Sequence, residues 1–261
     1  MSCEIALIGF GEAGEAFASA GRWHAQVFDV LAVRRAAAGA LGRDTVAAAL
    51  GGAPMVLSLV TADQALTAAE ACAPLLAPGA LWCDGNSVAP ATKRAAAAAV
   101  EAAGGRYVDL AILAPVDPAR LTVPVLLSGE AALDAQSALA ALGFTNIRVV
   151  GGEVGKASAI KMIRSVMVKG IEALTDEMMA AASAAGVTDE VLASLDASEK
   201  AQSWPQRAVY NLERMAKHGA RRAAEMDEAA KTLQALGVEP LMTRGTAQRQ
   251  RNAAVKKDQV A

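Results

Sequence analysis

Apolar and polar positions alternate along the first 150 residues in two rhythms. Short apolar runs predict strands at Glu4–Gly9, Gln26–Asp29, Met55–Leu59, Ala80–Asp84, Tyr107–Ala111, Val123–Leu127 and Asn146–Val150. Alanine-rich stretches between them predict helices at Ala13–Ala20, Ala62–Leu76, Ala91–Ala103 and Ala131–Leu142. Pro54, Pro78 with Gly79, and Gly104 with Gly105 mark boundaries. Strand–helix alternation of this kind predicts an α/β, Rossmann-type doubly wound parallel sheet, covered by helices on both faces.

Beyond Gly151–Gly152 the rhythm becomes helical throughout. One long helix is expected over 155–185, with Gly186 as its C-cap, and shorter helices near 188–200, 204–218, 220–236 and 239–250. The end, AAVKKDQVA, reads as frayed. The expected organisation is thus a dinucleotide-binding domain over 1–152 and a smaller all-α domain over 153–261 that serves substrate binding and dimerisation. Within the long helix Ile160, Ile163, Met167 and Leu174 recur on one face, with Met162 and Val166 beside it. Lys161 lies opposite, and at 100° per residue Ser158, Arg164 and Ser165 fall within about 60° of it. A lysine in a stripe of small side chains is either part of a solvated face or an amine placed to move protons.

The chemistry begins at Gly9-Phe10-Gly11-Glu12-Ala13-Gly14, which is GxGxxG closing the first strand and opening the first helix. The first glycine permits a tight turn and the second lets backbone approach a pyrophosphate. The third allows close helix–strand packing, and the helix N-terminus offers N–H groups to phosphate. Asp29 ends the second strand twenty residues after Gly9. It suits free ribose hydroxyls and would repel a 2′-phosphate, which favours NAD over NADP, although Arg34 and Arg35 lie close enough to soften the choice. Ligands of open parallel sheets collect at the carboxyl ends of strands, so Val60 and Thr61, and Asn86 and Ser87 in Asp84-Gly85-Asn86-Ser87, are expected around the nicotinamide. Turn chemistry explains the Asp-Gly-Asn sequence equally well.

Bulk properties narrow the field. A net charge of −2 gives no general attraction to nucleic acid or an anionic membrane. The basic residues Arg249, Arg251, Lys256 and Lys257 lack interleaved aromatics that would stack bases. Three cysteines (Cys3, Cys72, Cys83) without a CxxC pair, and only two histidines (His24, His218), fit a reducing compartment with no metal cluster. No run approaches the ~20 apolar residues of a membrane span. A soluble, cytoplasmic protein is expected.

Taken in order, GFGEAG at 9–14, DGNSVAP at 84–90, DLAILAPV at 109–116 and GEVGKASAIKMIRS at 152–165 resemble the β-hydroxyacid dehydrogenases, relatives of 6-phosphogluconate dehydrogenase. The stretch HGARRAAEM at 218–226 is similar to the C-terminal domain of a branch of that group with a short helical domain. The resemblance implies that Lys161 is the general acid/base, taking the hydroxyl proton as hydride leaves the carbon for nicotinamide and returning it in reduction. Ser158 and Ser165 would leave room for substrate over the amine. It also implies a homodimer. Three features depart from the family pattern. Ser165 stands where an asparagine is usual, Leu113-Ala114-Pro115 stands where a Ser-Gly-Gly grips a carboxylate, and the helical domain is much shorter than in 6-phosphogluconate dehydrogenase. His218, Arg221, Arg222 and Glu225 share one helix face, and His218 with Arg222 can supply an anion grip. A surface helix stitched by Arg–Glu pairs is the plainer reading.

The expected activity is hydride transfer between NAD, with NADP possible, and the carbinol carbon of a small hydroxy compound, a hydroxy acid being the expected class. The alternatives are an imine reductase and a dinucleotide-binding sensor without turnover.

Overall fold

The structure is a computed structural model. It describes residues 4–258 apart from 22, 199 and 200, and leaves undescribed the side chains of 225, 228, 231 and 254–258. Cys3, the side chain of Glu225 and residues 259–261 therefore lie outside the described residues. Contacts divide the chain into two units, 1–165 and 166–261.

The first unit is built on seven strands: β1 (Ile5–Ile8), β2 (Ala25–Phe28), β3 (Met55–Ser58), β4 (Leu81–Asp84), β5 (Arg106–Ile112), β6 (Val125–Ser128) and β7 (Ile147–Gly151). Their spatial order is β2-β1-β3-β4-β5-β6-β7. All neighbours are parallel except β5 and β6, which pair antiparallel from Asp109↔Ser128 to Ile112↔Val125. The sheet is the expected doubly wound parallel one except for this single antiparallel pair, which the sequence did not signal. Residues 113–124 contain a single 3₁₀ turn, Arg120–Thr122, and no crossover helix, so the chain folds back beside β5.

Six helices accompany the sheet: α1 (Glu12–Ala20), α2 (Ala32–Ala37), α3 (Val46–Leu50), α4 (Ala65–Cys72), α5 (Pro90–Ala102) and α6 (Ala132–Ala141). The short α2 and α3 have no strong apolar period and were not expected. The segment expected as one helix over 62–76 is α4 flanked by two 3₁₀ turns, the second holding Pro74. Side-chain alternation on each strand feeds two cores. Ile5 and Leu7 join Phe17, Val27 and Leu139 on one face. Ala6, Ile8, Val56 and Trp82 join Ala96, Val100 and Tyr107 on the other. Both faces are buried, as the continuous apolar runs required.

The long helix α7 (Lys156–Ala185) starts where expected. Its first turn is fastened to the sheet. The Asp109 carboxylate accepts from the N–H groups of Gly155 at 3.1 Å and Ser158 at 2.9 Å, and Ser128 Oγ accepts from Ala157 N–H at 3.0 Å. These bonds explain why the contact boundary falls inside α7, at 165/166, and not at the Gly151–Gly152 turn.

The second unit contains the remainder of α7, then α8 (Thr188–Ser198), α9 (Trp204–Ala235) and α10 (Leu241–Asp258). Two corrections apply here. The helices expected at 204–218 and 220–236 are one helix, because the buried Gly219 is carried through by packing despite its low helix propensity. The tail expected to fray is helical to Asp258.

Candidate active site

The sheet order changes direction between β1 and β3, and their carboxyl ends open a crevice. Gly9 has φ +96°, and a Cβ there would lie 2.5 Å from the Leu59 carbonyl oxygen, so only glycine lets the loops after β1 and β3 meet. A Cβ on Gly14 would lie 2.6 Å from the Gly9 carbonyl oxygen, which is the close helix–strand packing expected of the third glycine. Gly11 differs: a Cβ there would meet nothing within 4 Å. It stands at the N-cap of α1, where no side chain caps the first-turn N–H groups.

A cavity of about 630 Å³ runs along this crevice, lined by Glu12 and Ala13, by Leu59–Ala62, by Gly85–Ser87, by Ile112 and Ala114–Val116, and by Lys161. Thus Glu12, Ala13, Val60, Thr61, Asn86, Ser87 and Lys161, expected from sequence, come together. Lys161 Nζ donates to Ser87 Oγ at 2.6 Å. Asn86 is 4% exposed; its Nδ2 donates to Ser58 Oγ at 3.1 Å, which leaves Oδ1 buried without a partner. An orphaned acceptor beside the cavity suits an amide N–H donor such as a nicotinamide carboxamide.

Other expected residues are engaged within the protein. The Phe10 side chain is buried in the core, and its N–H donates to Asp29 Oδ2 at 2.8 Å. Leu31 N–H donates to Asp29 Oδ1 at 2.8 Å. Each carboxylate oxygen keeps a further lone pair for a ribose hydroxyl. Arg35 donates to the Asp29 carbonyl oxygen at 2.7 Å and lies over the Phe28 ring, so it is occupied at the end of β2. Ser158 is buried and its Oγ donates to the Gly155 carbonyl at 3.0 Å, so it anchors α7 and does not line the cavity. Ser165 Oγ donates back to the Lys161 carbonyl at 2.9 Å. His218 is exposed and Arg222 half-buried on α9, in the second unit.

Beneath the 84–87 loop lies a buried polar network that sequence reading missed. Lys93 Nζ, fully buried, donates to the Asp84 carbonyl at 2.5 Å and to Asp84 Oδ1 at 2.9 Å, and lies 3.4 Å from Asp109 Oδ1. Tyr107 donates to Asp84 Oδ2 at 2.6 Å. Burial, with the Asp84 carboxylate beside it, pushes the Tyr107 phenol far up, so it keeps the proton it donates. One signal was available: Lys93 is in phase with Ala96, Ala97 and Val100, the buried stripe of α5. No group of three or more His, Cys, Asp or Glu side chains able to hold a metal ion occurs among the described residues.

A glycine loop at the switch point of a doubly wound sheet, with an uncapped helix N-terminus and an orphaned acceptor beyond it, defines a dinucleotide-binding domain of the oxidoreductase type. Residues 4–151 match the NAD binding domain of 6-phosphogluconate dehydrogenase, and residues 182–253 match a domain of unknown function (DUF1932). The chain belongs to this NAD-binding, 6-phosphogluconate dehydrogenase-like family of oxidoreductases. A conserved hypothetical protein from Sinorhizobium meliloti 1021 is 37% identical, the match covering 96% of this chain and 88% of that one, with a TM-score of 0.61. A conserved protein of unknown function, described as structurally similar to 3-hydroxyacid dehydrogenases, is 28% identical over 98% of this chain and 99% of its own, with a TM-score of 0.59. An uncharacterized 28.5 kDa protein of Methanothermus fervidus is 27% identical over 192 residues, 74% of this chain and 72% of that protein. The imine reductase of Streptomyces aurantiacus shares the fold, with a TM-score of 0.76 at 20% identity over 97% of this chain and 95% of its own.

Proposed function

We propose that this protein is an NAD-dependent dehydrogenase acting on the carbinol carbon of a small polar hydroxy compound, a hydroxy acid being the expected class, with Lys161 as general acid/base. The observation that carries the reading is the Lys161 Nζ–Ser87 Oγ contact of 2.6 Å on the wall of the cavity that follows the glycine loop. Bound along that loop, a nicotinamide dinucleotide supplies or accepts the hydride. Gly11 and the N-terminus of α1 hold its phosphates, Asp29 its adenosine ribose, and Val60, Thr61 and Asn86 the nicotinamide end. Lys161 takes the hydroxyl proton in oxidation and returns it in reduction, while Ser87 fixes the direction of its Nζ. His218 and Arg222 are proposed as anion-binding side chains on the strength of their helical spacing. The same reading expects a homodimer, and a cytoplasmic location that suits the free buried thiols Cys72 and Cys83.

Lys161→Ala tests the assignment. Turnover is expected to fall by about 10² to 10⁴, the usual contribution of a general acid/base, while NADH affinity followed by nicotinamide fluorescence stays at the wild-type value. Unchanged turnover removes Lys161 from the chemistry. Parallel titration with NADPH tests Asp29, and tighter NADPH binding would overturn its use as an NAD selector. A second reading, C=N reduction, is supported by the cavity wall: Ile112, Ala114, Pro115 and Val116 form an apolar stretch where the family pattern has a carboxylate grip. Reduction of cyclic imines but not of 2-oxo or 3-oxo acids would select it.

A further inference from the structure

Among the buried residues described in the first unit, Lys93 is the one basic side chain, with the buried polar residues Ser58, Asp84, Asn86, Asp109, Ser128 and Ser158 in the same unit. It is 0% exposed, as are Asp84 and Asp109 on either side of it. Burying an ammonium is costly unless it is paired and hydrogen-bonded; besides a bond to the Leu110 carbonyl at 3.5 Å, its bonds to Asp84 and its ion pair with Asp109 lead to segments of the candidate site. Towards β4 it holds Asp84 twice, at the carbonyl and at Oδ1. The same Oδ1 accepts the Asn86 N–H at 2.9 Å and so closes the turn that presents Asn86 and Ser87. Towards β5 it faces Asp109 Oδ1 at 3.4 Å, while Oδ2 of that carboxylate receives the N–H groups of Gly155 and Ser158, one turn before Lys161. The loop bearing Asn86 and Ser87 and the helix bearing Lys161 therefore meet at one ammonium. At the far side their ends meet again, in the Lys161–Ser87 contact.

We infer that Lys93 is a positioning residue: through Asp84 and Asp109 it sets the nicotinamide-facing loop 84–87 and the first turn of α7 in register with each other. The inference rests on the dinucleotide reading above and goes beyond it, because Lys93 itself does not line the cavity. A buried pair that served stability alone would, when lost, weaken every ligand of the domain alike or none. A residue that sets the 84–87 loop acts on the nicotinamide end and spares the adenosine end, which is bound at the glycine loop and Asp29.

The distinguishing experiment compares NADH with ADP-ribose, which lacks the nicotinamide, by calorimetric titration of wild type, Lys93→Met and Tyr107→Phe. Wild type should prefer NADH. In Lys93→Met that preference should fall by roughly tenfold, the equivalent of one or two lost hydrogen bonds, with ADP-ribose affinity held. Amide hydrogen exchange should rise at 85–88 and 155–161 and stay low in β1. Should Lys93→Met fail to fold, Tyr107→Phe carries the test, because it keeps the ammonium and removes only the phenol bond to Asp84 Oδ2. It should lower the same preference, by less. A folded variant that retains the wild-type preference, or exchange that rises uniformly through the chain, overturns the inference. Wild type that binds neither ligand overturns the dinucleotide reading and this inference with it, an outcome separate from a preference that fails to change.

Discussion

At the scale of single residues, the three glycines of the loop make different demands, and the demands can be separated. Gly9 lies at positive φ with no space for a Cβ against the Leu59 carbonyl. Gly9→Ala should therefore destabilise the first unit by about 2 kcal/mol or more, through strain and displacement of the loop after β3. Gly11→Ala should leave the melting temperature close to wild type, since its Cβ would meet nothing within 4 Å, yet weaken NADH binding by putting a methyl where the phosphates approach. Thermal melts and NADH titration of the two variants check both, and a stable Gly9→Ala or an NADH-competent Gly11→Ala would contradict the loop's assigned roles. The loop was legible because glycines at fixed spacing after an apolar strand have a backbone reason for each position. Asn86, Ser87 and Lys161 were legible from their places at strand ends and on a helix. The hydrogen bonds of Ser158 and Ser165 were not legible, because helical spacing gives an angle around the axis and nothing more. It could not reveal that one hydroxyl is spent on the Gly155 carbonyl and the other on the Lys161 carbonyl. Lys93 escaped notice because polar residues on a helix are normally solvated, and its partners are distant in sequence.

At the scale of elements, the strands were found nearly residue for residue, since continuous apolar runs bounded by glycine and proline leave few alternatives. Helix ends were less legible where their partners are remote. The start of α10 is an example: Glu177, on α7, accepts from Met242 N–H at 2.7 Å and from Thr243 N–H at 2.9 Å and Oγ1 at 2.6 Å. One carboxylate thus caps the helix from sixty-odd residues away. Burial of Glu177 pushes its pKa up, but the bonds from Thr243 and the N–H groups of Met242 and Leu241 outweigh it and hold the carboxyl below its ordinary value. A carboxyl lowered on folding contributes stability at neutral pH that is lost as the pH falls through its folded value. Glu177→Gln should therefore cost about 1 to 2 kcal/mol near pH 7, as for a charge-assisted cap. The gap to wild type should close progressively in acid, where the native carboxyl also becomes neutral. Denaturant titrations of both proteins over that range measure the gap, and a constant gap would mean that Glu177 contributes packing and not charge.

At the scale of the whole molecule, the notable feature is how much apolar surface α7 presents to water in the single chain. Of the stripe read from sequence as an interior face, Ile160 packs against Ala111, Leu126 and Ala157, but Ile163 is 73% exposed, Met167 48% and Leu174 45%, and beside them Val166 is 76% and Ile171 45% exposed. In the second unit an apolar groove of about 570 Å³, lined by Leu174, Met178, Val191, Leu195 and Leu233 among others, adds to it. Isolated exposed side chains are ordinary, but a continuous stripe and an apolar groove are what subunit interfaces leave open when a partner is removed. The sequence pattern read this face as one meant for burial and is silent on what would bury it, because a periodicity records an apolar face without naming the chain that covers it. The homodimer expectation gives the cover as a second copy, and it can fail cleanly. Sedimentation of wild type should give a dimer, with a melting temperature that rises with protein concentration, because association stabilises the folded form by mass action. The double substitution Met167→Glu with Ile171→Glu, at exposed positions off the cavity wall, should yield a monomer whose melting temperature no longer depends on concentration. A wild type that sediments as a monomer throughout would remove the dimer, and the exposed stripe on α7 would then have to meet a different protein.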